Sequence, residues 1–176
     1  PRPQDAERRL LIAILGGRSP DDGKTARNVD WERFREMACE EGVPGIVYAR
    51  IRDTGVPPEV LSTFENLYAN IAARNLLNVK ALESLEPALQ AEGIALMTLK
   101  GASLLGQVYA GMGMRPMTDL DLMVRVGDQA RLQNLLAGLG YRRVSGSAHL
   151  LERNNVILDL HVHALNTDRI ANRSAL

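Results

Sequence analysis

The chain has 176 residues, with 21 basic and 21 acidic side chains and a hydrophobic fraction of 45%. These values are typical of a soluble globular protein and exclude a disordered chain. Because no net charge favours polyanions, any phosphate site must be built locally, and we expect neither nucleic acid nor a membrane to be a partner. The single cysteine, Cys39, excludes an internal disulfide and a Cys-x-x-Cys metal site. The sequence shows neither a signal-peptide pattern nor a long apolar span, so the expected compartment is the cytoplasm.

The first half of the chain shows helical periodicity. Apolar residues at steps of three and four predict an amphipathic helix over residues 5–15, a second helix after the N-cap Asp30, and a short third one. A longer pattern beginning at Pro58 predicts a helix of many turns, which Pro87 would kink or divide. We therefore predict that residues 1–92 form a helical N-terminal region.

After the last helix the periodicity changes to a continuous apolar run over residues 94–99, which is typical of a buried strand. A turn containing Gly101 and Ser103 follows, and residues 104–111 resume helical spacing. A glycine at such a turn lets backbone amides approach a ligand, an arrangement that suits phosphate oxygens. We predict that an α/β domain occupies residues 93–176.

Residues 114–126 (MRPMTDLDLMVRV) place two carboxylates, Asp119 and Asp121, within an apolar run. Side chains two residues apart in a strand point the same way, so the two acids should stand side by side while the intervening leucines face the core. Two like charges so close are costly unless a cation lies between them, and a hard divalent cation such as magnesium is the natural candidate. The alternative interpretation is a solvated strand edge that carries acids for solubility.

A third carboxylate follows in a predicted hairpin. After a helical pattern over residues 127–140, two apolar runs meet at residues 154–155, adjacent asparagines that tolerate positive φ in a tight turn. The second run alternates and places Asp159, His161 and His163 opposite its apolar face, although an acid there could also simply face water. The Asp-x-His-x-His pattern is superficially that of the zinc-binding strand of amidohydrolase barrels, but only a short tail follows it here.

Three segments together, TLKGASLL (98–105), MRPMTDLDLMV (114–124) and ILDLHVHAL (157–165), resemble the bacterial family of uncharacterised nucleotidyltransferases within the polymerase β-like superfamily. The resemblance covers most of the chain. It implies an α+β fold in which a helical N-terminal region leads into a polymerase β-like palm, a small mixed sheet with flanking helices. Members of this family generally continue further, so we expect the palm to be incomplete at its C-terminal end.

The resemblance also implies an enzyme that uses magnesium, or alternatively manganese, to move a nucleoside monophosphate from a nucleoside triphosphate such as ATP to a hydroxyl acceptor. That acceptor would be a small molecule, a sugar or a protein side chain. The positions that match the catalytic and metal-binding acids are Asp119, Asp121 and Asp159. The positions that match nucleotide or phosphate contacts are Lys100, Gly101, Ser103 and Arg115. Lys100 and Arg115 could instead be structural ion-pair partners of the acids, and His161 is expected beside the acids as a hydrogen-bond donor or phosphate contact.

A second hypothesis comes from a different functional class. A catalytically silent relative would bind a nucleotide, or a partner protein through the helical half. The presence of all three carboxylates favours the enzyme. Dependence of nucleotide binding on a divalent metal separates the two hypotheses.

Overall fold

The computed structural model of the chain describes residues 5–20 and 29–163 and shows an α+β fold. The helices described there are α1 (Asp5–Leu15), α2 (Trp31–Glu40), α3 (Pro44–Ile51), α4 (Pro58–Ala91), α5 (Lys100–Leu104) and α6 (Gln129–Gly138). The strands are β1 (Leu96–Thr98), β2 (Leu120–Val124), β3 (Arg142–Arg143), β4 (Leu150–Arg153) and β5 (Val156–His161). The prediction of N-terminal helices followed by a small mixed sheet is confirmed. Among the described helices, no stretch is both long and apolar enough to cross a membrane.

The chain divides into two compact units. The helical unit contains the residues up to Leu76 together with Leu105–Pro116, and the sheet unit contains Leu77–Leu104 together with the residues from Met117 onward. The boundary predicted between residues 92 and 93 is a boundary of secondary structure, where helix gives way to strand. The packing units divide instead within α4.

The helical unit is built around the apolar faces of its helices. Asp30 is the N-cap of α2, as predicted, and its Oδ1 accepts a hydrogen bond from the Arg33 amide at 3.1 Å. In the core, the ring of Phe34 makes edge-on contacts with Trp31 and Phe64. Other fully buried residues of this core are Leu10, Ile14, Ala38, Val47 and Ile51.

The helices differ from the sequence predictions at two places. Of the two alternatives at Pro87, division of the helix is wrong, because α4 runs unbroken through the proline over 34 residues, and a kink there stays a prediction. The helix predicted over residues 104–111 is also wrong. The chain turns there at Gly106, whose φ of +77° is left-handed, and Leu105 forms a bridge with Tyr109.

The segment Leu105–Pro116, which carries Arg115, is held within the helical unit by α4. The buried amide of Asn75 donates hydrogen bonds of 2.7 Å to the carbonyls of both Met112 and Arg115. A Cβ added to Gly113 would lie 2.5 Å from the Tyr68 carbonyl oxygen, so only glycine fits this approach. The backbone before β2 is therefore fixed by direct contacts with a helix.

The sheet unit contains five strands in the order β1-β2-β5-β4-β3, with β2 and β5 parallel and the other neighbours antiparallel. The strand predicted within residues 94–99 is present as β1, but its predicted burial is wrong, because β1 is a three-residue strand at the edge of the sheet and Met97 is 56% exposed. The hairpin between β4 and β5 is confirmed, with Asn154 and Asn155 at φ values of +50° and +63°.

One face of the sheet forms the core of this unit. The leucines of β2 and β5 at positions 120, 122, 158 and 160 are buried together with the end of α4 and the apolar side of α6. Leu132 and Leu136 of α6 face inward, as predicted. Because strand side chains alternate, the residues between these leucines are directed to the opposite face of the sheet.

We predict opposite stability effects for two helical glycines. In Gly45→Ala, the new methyl group would lie 1.8 Å from the Gly113 carbonyl oxygen, so we expect the free energy of unfolding to fall by at least about 2 kcal/mol. Gly138, the last residue of α6, has no atom beyond its chain neighbours and its own helix backbone within 4 Å of an added Cβ, so Gly138→Ala should raise stability by about 0.5 kcal/mol. Urea denaturation of both variants tests this. Equal changes in the free energy of unfolding of the two variants would contradict the close approach of the Gly113 carbonyl to Gly45.

Candidate metal centre

Two carboxylates meet on the face of the sheet opposite its leucine core. In the parallel pairing of β2 and β5, Asp121 lies directly opposite Asp159. The two residues are only 6% and 3% exposed. The register of the strands therefore brings together two buried acids that lie far apart in the sequence.

His161 completes this cluster. It lies two residues after Asp159 on β5, so its imidazole is directed to the same face. Its Nε2 lies 2.9 Å from Asp121 Oδ1 and 3.3 Å from Asp159 Oδ2, and the ring is almost fully buried. In the tautomer that carries its proton on Nε2, this nitrogen is the donor and the carboxylate oxygens accept. Ligand atoms of the three residues all lie within 4.8 Å of one another.

Lys100 supplies a positive charge to the cluster from the first residue of α5. Its Nζ lies 2.5 Å from Asp121 Oδ1, the same oxygen that contacts His161, and its side chain is 55% exposed. The structural ion pair considered from the sequence is therefore present. The ammonium group partly offsets the repulsion between the two buried acids.

The turn between β1 and α5 differs from the predicted glycine turn. Lys100, not Gly101, adopts the left-handed conformation, with φ at +47°, whereas Gly101 is a buried residue of α5. The Ser103 hydroxyl donates to the Lys100 carbonyl at 2.9 Å. The backbone conformation at this turn thus serves to present the lysine.

The remaining two predicted site residues lie outside the cluster of three. Asp119 comes directly before β2 and is half-buried, and its Oδ1 accepts a hydrogen bond from the Thr118 hydroxyl at 3.1 Å. The strand alternation that predicted a side-by-side pair does not extend to it. Arg115 belongs to the helical unit, where its guanidinium lies over the Tyr109 ring at 5.9 Å. The roles predicted for both residues stay predictions.

The cluster could hold a divalent metal ion. With bonds of about 2.1 Å, ligand atoms in adjacent positions around an octahedral ion lie about 3.0 Å apart. The separations from His161 Nε2 to the oxygens of Asp121 and Asp159 are 2.9 and 3.3 Å. Two carboxylates and one imidazole are all common metal ligands. From the sequence, alternation along β5 identified His161 as a neighbour of the acids but not as a member of the ligand group.

Comparison with known proteins adds one match. A family model described as an uncharacterised nucleotidyltransferase matches residues 27–175, a range that includes all three residues of the cluster and Lys100. A search of curated proteins and a search of solved structures gave no match.

We predict that Lys100 competes with a metal ion for Asp121. In Lys100→Met the positive charge beside Oδ1 is lost, so Mn²⁺ or Mg²⁺ without nucleotide should bind about fivefold more tightly, a gain of about 1 kcal/mol for a half-exposed charge. Isothermal titration calorimetry measures this affinity. The matched control is Lys80→Met, which removes an exposed lysine of α4 and should leave the affinity unchanged. Weaker binding by Lys100→Met would contradict competition.

Proposed function

We propose that this chain, which belongs to the uncharacterised nucleotidyltransferase family, moves a nucleoside monophosphate from a nucleoside triphosphate to a hydroxyl acceptor with the help of Mg²⁺ or Mn²⁺. The observation that carries the proposal is the buried pair Asp121 and Asp159 on adjacent parallel strands, with a lysine beside it. Family membership supports nucleotidyl transfer in general. The dependence on metal is supported by the ligand atoms that these strands bring together.

In the proposed reaction, the acceptor oxygen forms a bond to the α-phosphorus as the bond to the β-phosphate oxygen breaks. Pyrophosphate leaves, and the hydroxyl proton passes to a carboxylate or to solvent. A bound divalent ion would supply charge neutralisation for the triphosphate. Asp121 and Asp159 would hold that ion, and Asp159 is also the candidate acceptor of the hydroxyl proton.

Lys100 has a second proposed role once nucleotide is present. Its side chain is half exposed, so its ammonium can exchange the Asp121 carboxylate for a phosphate oxygen. The turn residues Gly101 and Ser103 are proposed as neighbours of the same phosphates, on the family resemblance. The lysine would thus neutralise the carboxylate in the free protein and the triphosphate in the complex.

Asp119 is proposed as a metal ligand that joins only in the nucleotide complex, because its carboxylate lies outside the buried cluster.

We predict that Asp121→Asn abolishes the thermal stabilisation that Mn²⁺ alone provides. Asp119→Asn should keep that stabilisation and lose the additional stabilisation from nucleoside triphosphate. Differential scanning fluorimetry with metal, then with metal and each of four triphosphates, distinguishes the two variants. Identical behaviour of the two variants would overturn separate roles.

The proposed activity itself is tested with α-phosphate-labelled ATP, GTP, CTP and UTP, offered with Mg²⁺ or Mn²⁺ to the protein and to pools of sugars, small alcohols and proteins. We expect label transfer that falls at least about a thousandfold in Asp121→Asn and in Asp159→Asn. The control Asp53→Asn alters an exposed carboxylate of the helical unit and should transfer normally. Nucleotide binding that is equally strong in EDTA, without transfer, would instead favour the binding module.

A further inference from the structure

The imidazole of His161 occupies the centre of the acidic cluster and not its margin. Its Nε2 contacts one oxygen of each acid, at 2.9 and 3.3 Å, and the ring is 4% exposed. An ion bound by Asp121 and Asp159 from the sheet face therefore has a nitrogen donor within the same space as the two oxygens.

We propose that His161 Nε2 is a direct ligand of the ion, so that the site prefers Mn²⁺ over Mg²⁺. This inference rests on the proposed function for the presence of a metal. Mg²⁺ strongly favours oxygen ligands and retains its waters, whereas imidazole suits first-row transition metals and carboxylates suit Mn²⁺ as well as Mg²⁺. One nitrogen and two carboxylates form a donor set that Mn²⁺ accepts more readily than Mg²⁺ does.

Ligation and hydrogen bonding place different demands on His161. A hydrogen bond from Nε2 to the carboxylates requires a proton on that nitrogen, whereas only the unprotonated nitrogen can donate its lone pair to a metal. In the metal-bound arrangement the neutral imidazole therefore carries its proton on Nδ1. The alternative, in which His161 only holds the carboxylates in place, leaves Nε2 protonated and outside the coordination sphere. The two arrangements differ in whether a histidine nitrogen is bonded to the ion.

Pulsed electron paramagnetic resonance of the Mn²⁺-loaded protein detects a directly bonded nitrogen by its modulation of the electron spin echo. We expect a nitrogen coupling of the size given by a bound imidazole. The coupling should change to the ¹⁵N pattern when the wild-type protein is grown with ¹⁵N-labelled histidine, a measurement that needs no variant to fold. It should disappear in His161→Ala and persist in His163→Ala, which removes the exposed histidine two residues further on.

Affinity provides a second measurement. In His161→Ala, Mn²⁺ affinity should fall at least about tenfold, while Mg²⁺ affinity changes by a smaller factor, so that the preference for Mn²⁺ narrows. Mn²⁺ binding without a bonded histidine nitrogen would overturn the inference and leave the proposed function standing. A bonded nitrogen in a protein that transfers no nucleotide would support the inference and count against the proposed function. Absence of any Mn²⁺ binding would overturn the inference, and absence of both Mn²⁺ and Mg²⁺ binding, with or without nucleotide, would overturn the proposed function as well.

Discussion

The parallel pairing of β2 with β5 is the constraint on which the candidate site depends. Its register places Asp121 beside Asp159 and Leu120 beside Leu158. A slip of one residue would turn every side chain of one strand to the other face, exposing leucines and separating the acids. Burial of the leucine faces against α4 and α6 opposes such a slip. The hydrophobic core therefore fixes the geometry of a polar site that it does not touch.

Burying two carboxylates side by side costs free energy, and neighbouring nitrogen-bearing side chains offset part of that cost. Like charges in contact repel strongly when water is excluded. Lys100 and His161 both direct nitrogen atoms to Asp121 Oδ1. Lys100 does so from a left-handed backbone conformation, which costs a non-glycine residue about 1–2 kcal/mol. Non-glycine residues in this conformation are frequent at functional sites, which agrees with the role proposed for Lys100.

Sequence periodicity predicted the local structure well and the non-local structure poorly. The helix over residues 5–15, the Asp30 cap and the asparagine hairpin follow from signals within a few residues, and all three are confirmed. The apolar run at 94–99 suggested a buried strand, but burial depends on position in the sheet, and β1 lies at its edge. The helical spacing at 104–111 was outweighed by Gly106 and by the packing of the following segment onto α4.

At the candidate site, too, local features were predictable from the sequence and non-local ones were not. Alternation along each strand predicted which face Asp121 and Asp159 occupy, but a single sequence contains no signal for the pairing of β2 with β5, because that pairing joins residues far apart in the chain. The membership of His161 in the ligand group follows only once the pairing is known. The predicted strand extended one residue further than β2, which begins at Leu120, so alternation along β2 does not define the direction of Asp119, whose role stays a prediction.

The cluster combines residues with two different kinds of support. Asp121, Asp159 and His161 lie on central strands whose other faces are buried in the core, so their donor atoms are held in place, as selective metal binding requires. Lys100 begins a helix of only five residues that follows an edge strand, and its side chain is half exposed. Donor atoms that are held in place suit a metal ion that remains bound. An exposed ammonium group suits a nucleoside triphosphate, which would bind and leave in every round of the proposed reaction. The fold thus separates the group that would hold the metal from the group that would follow the triphosphate.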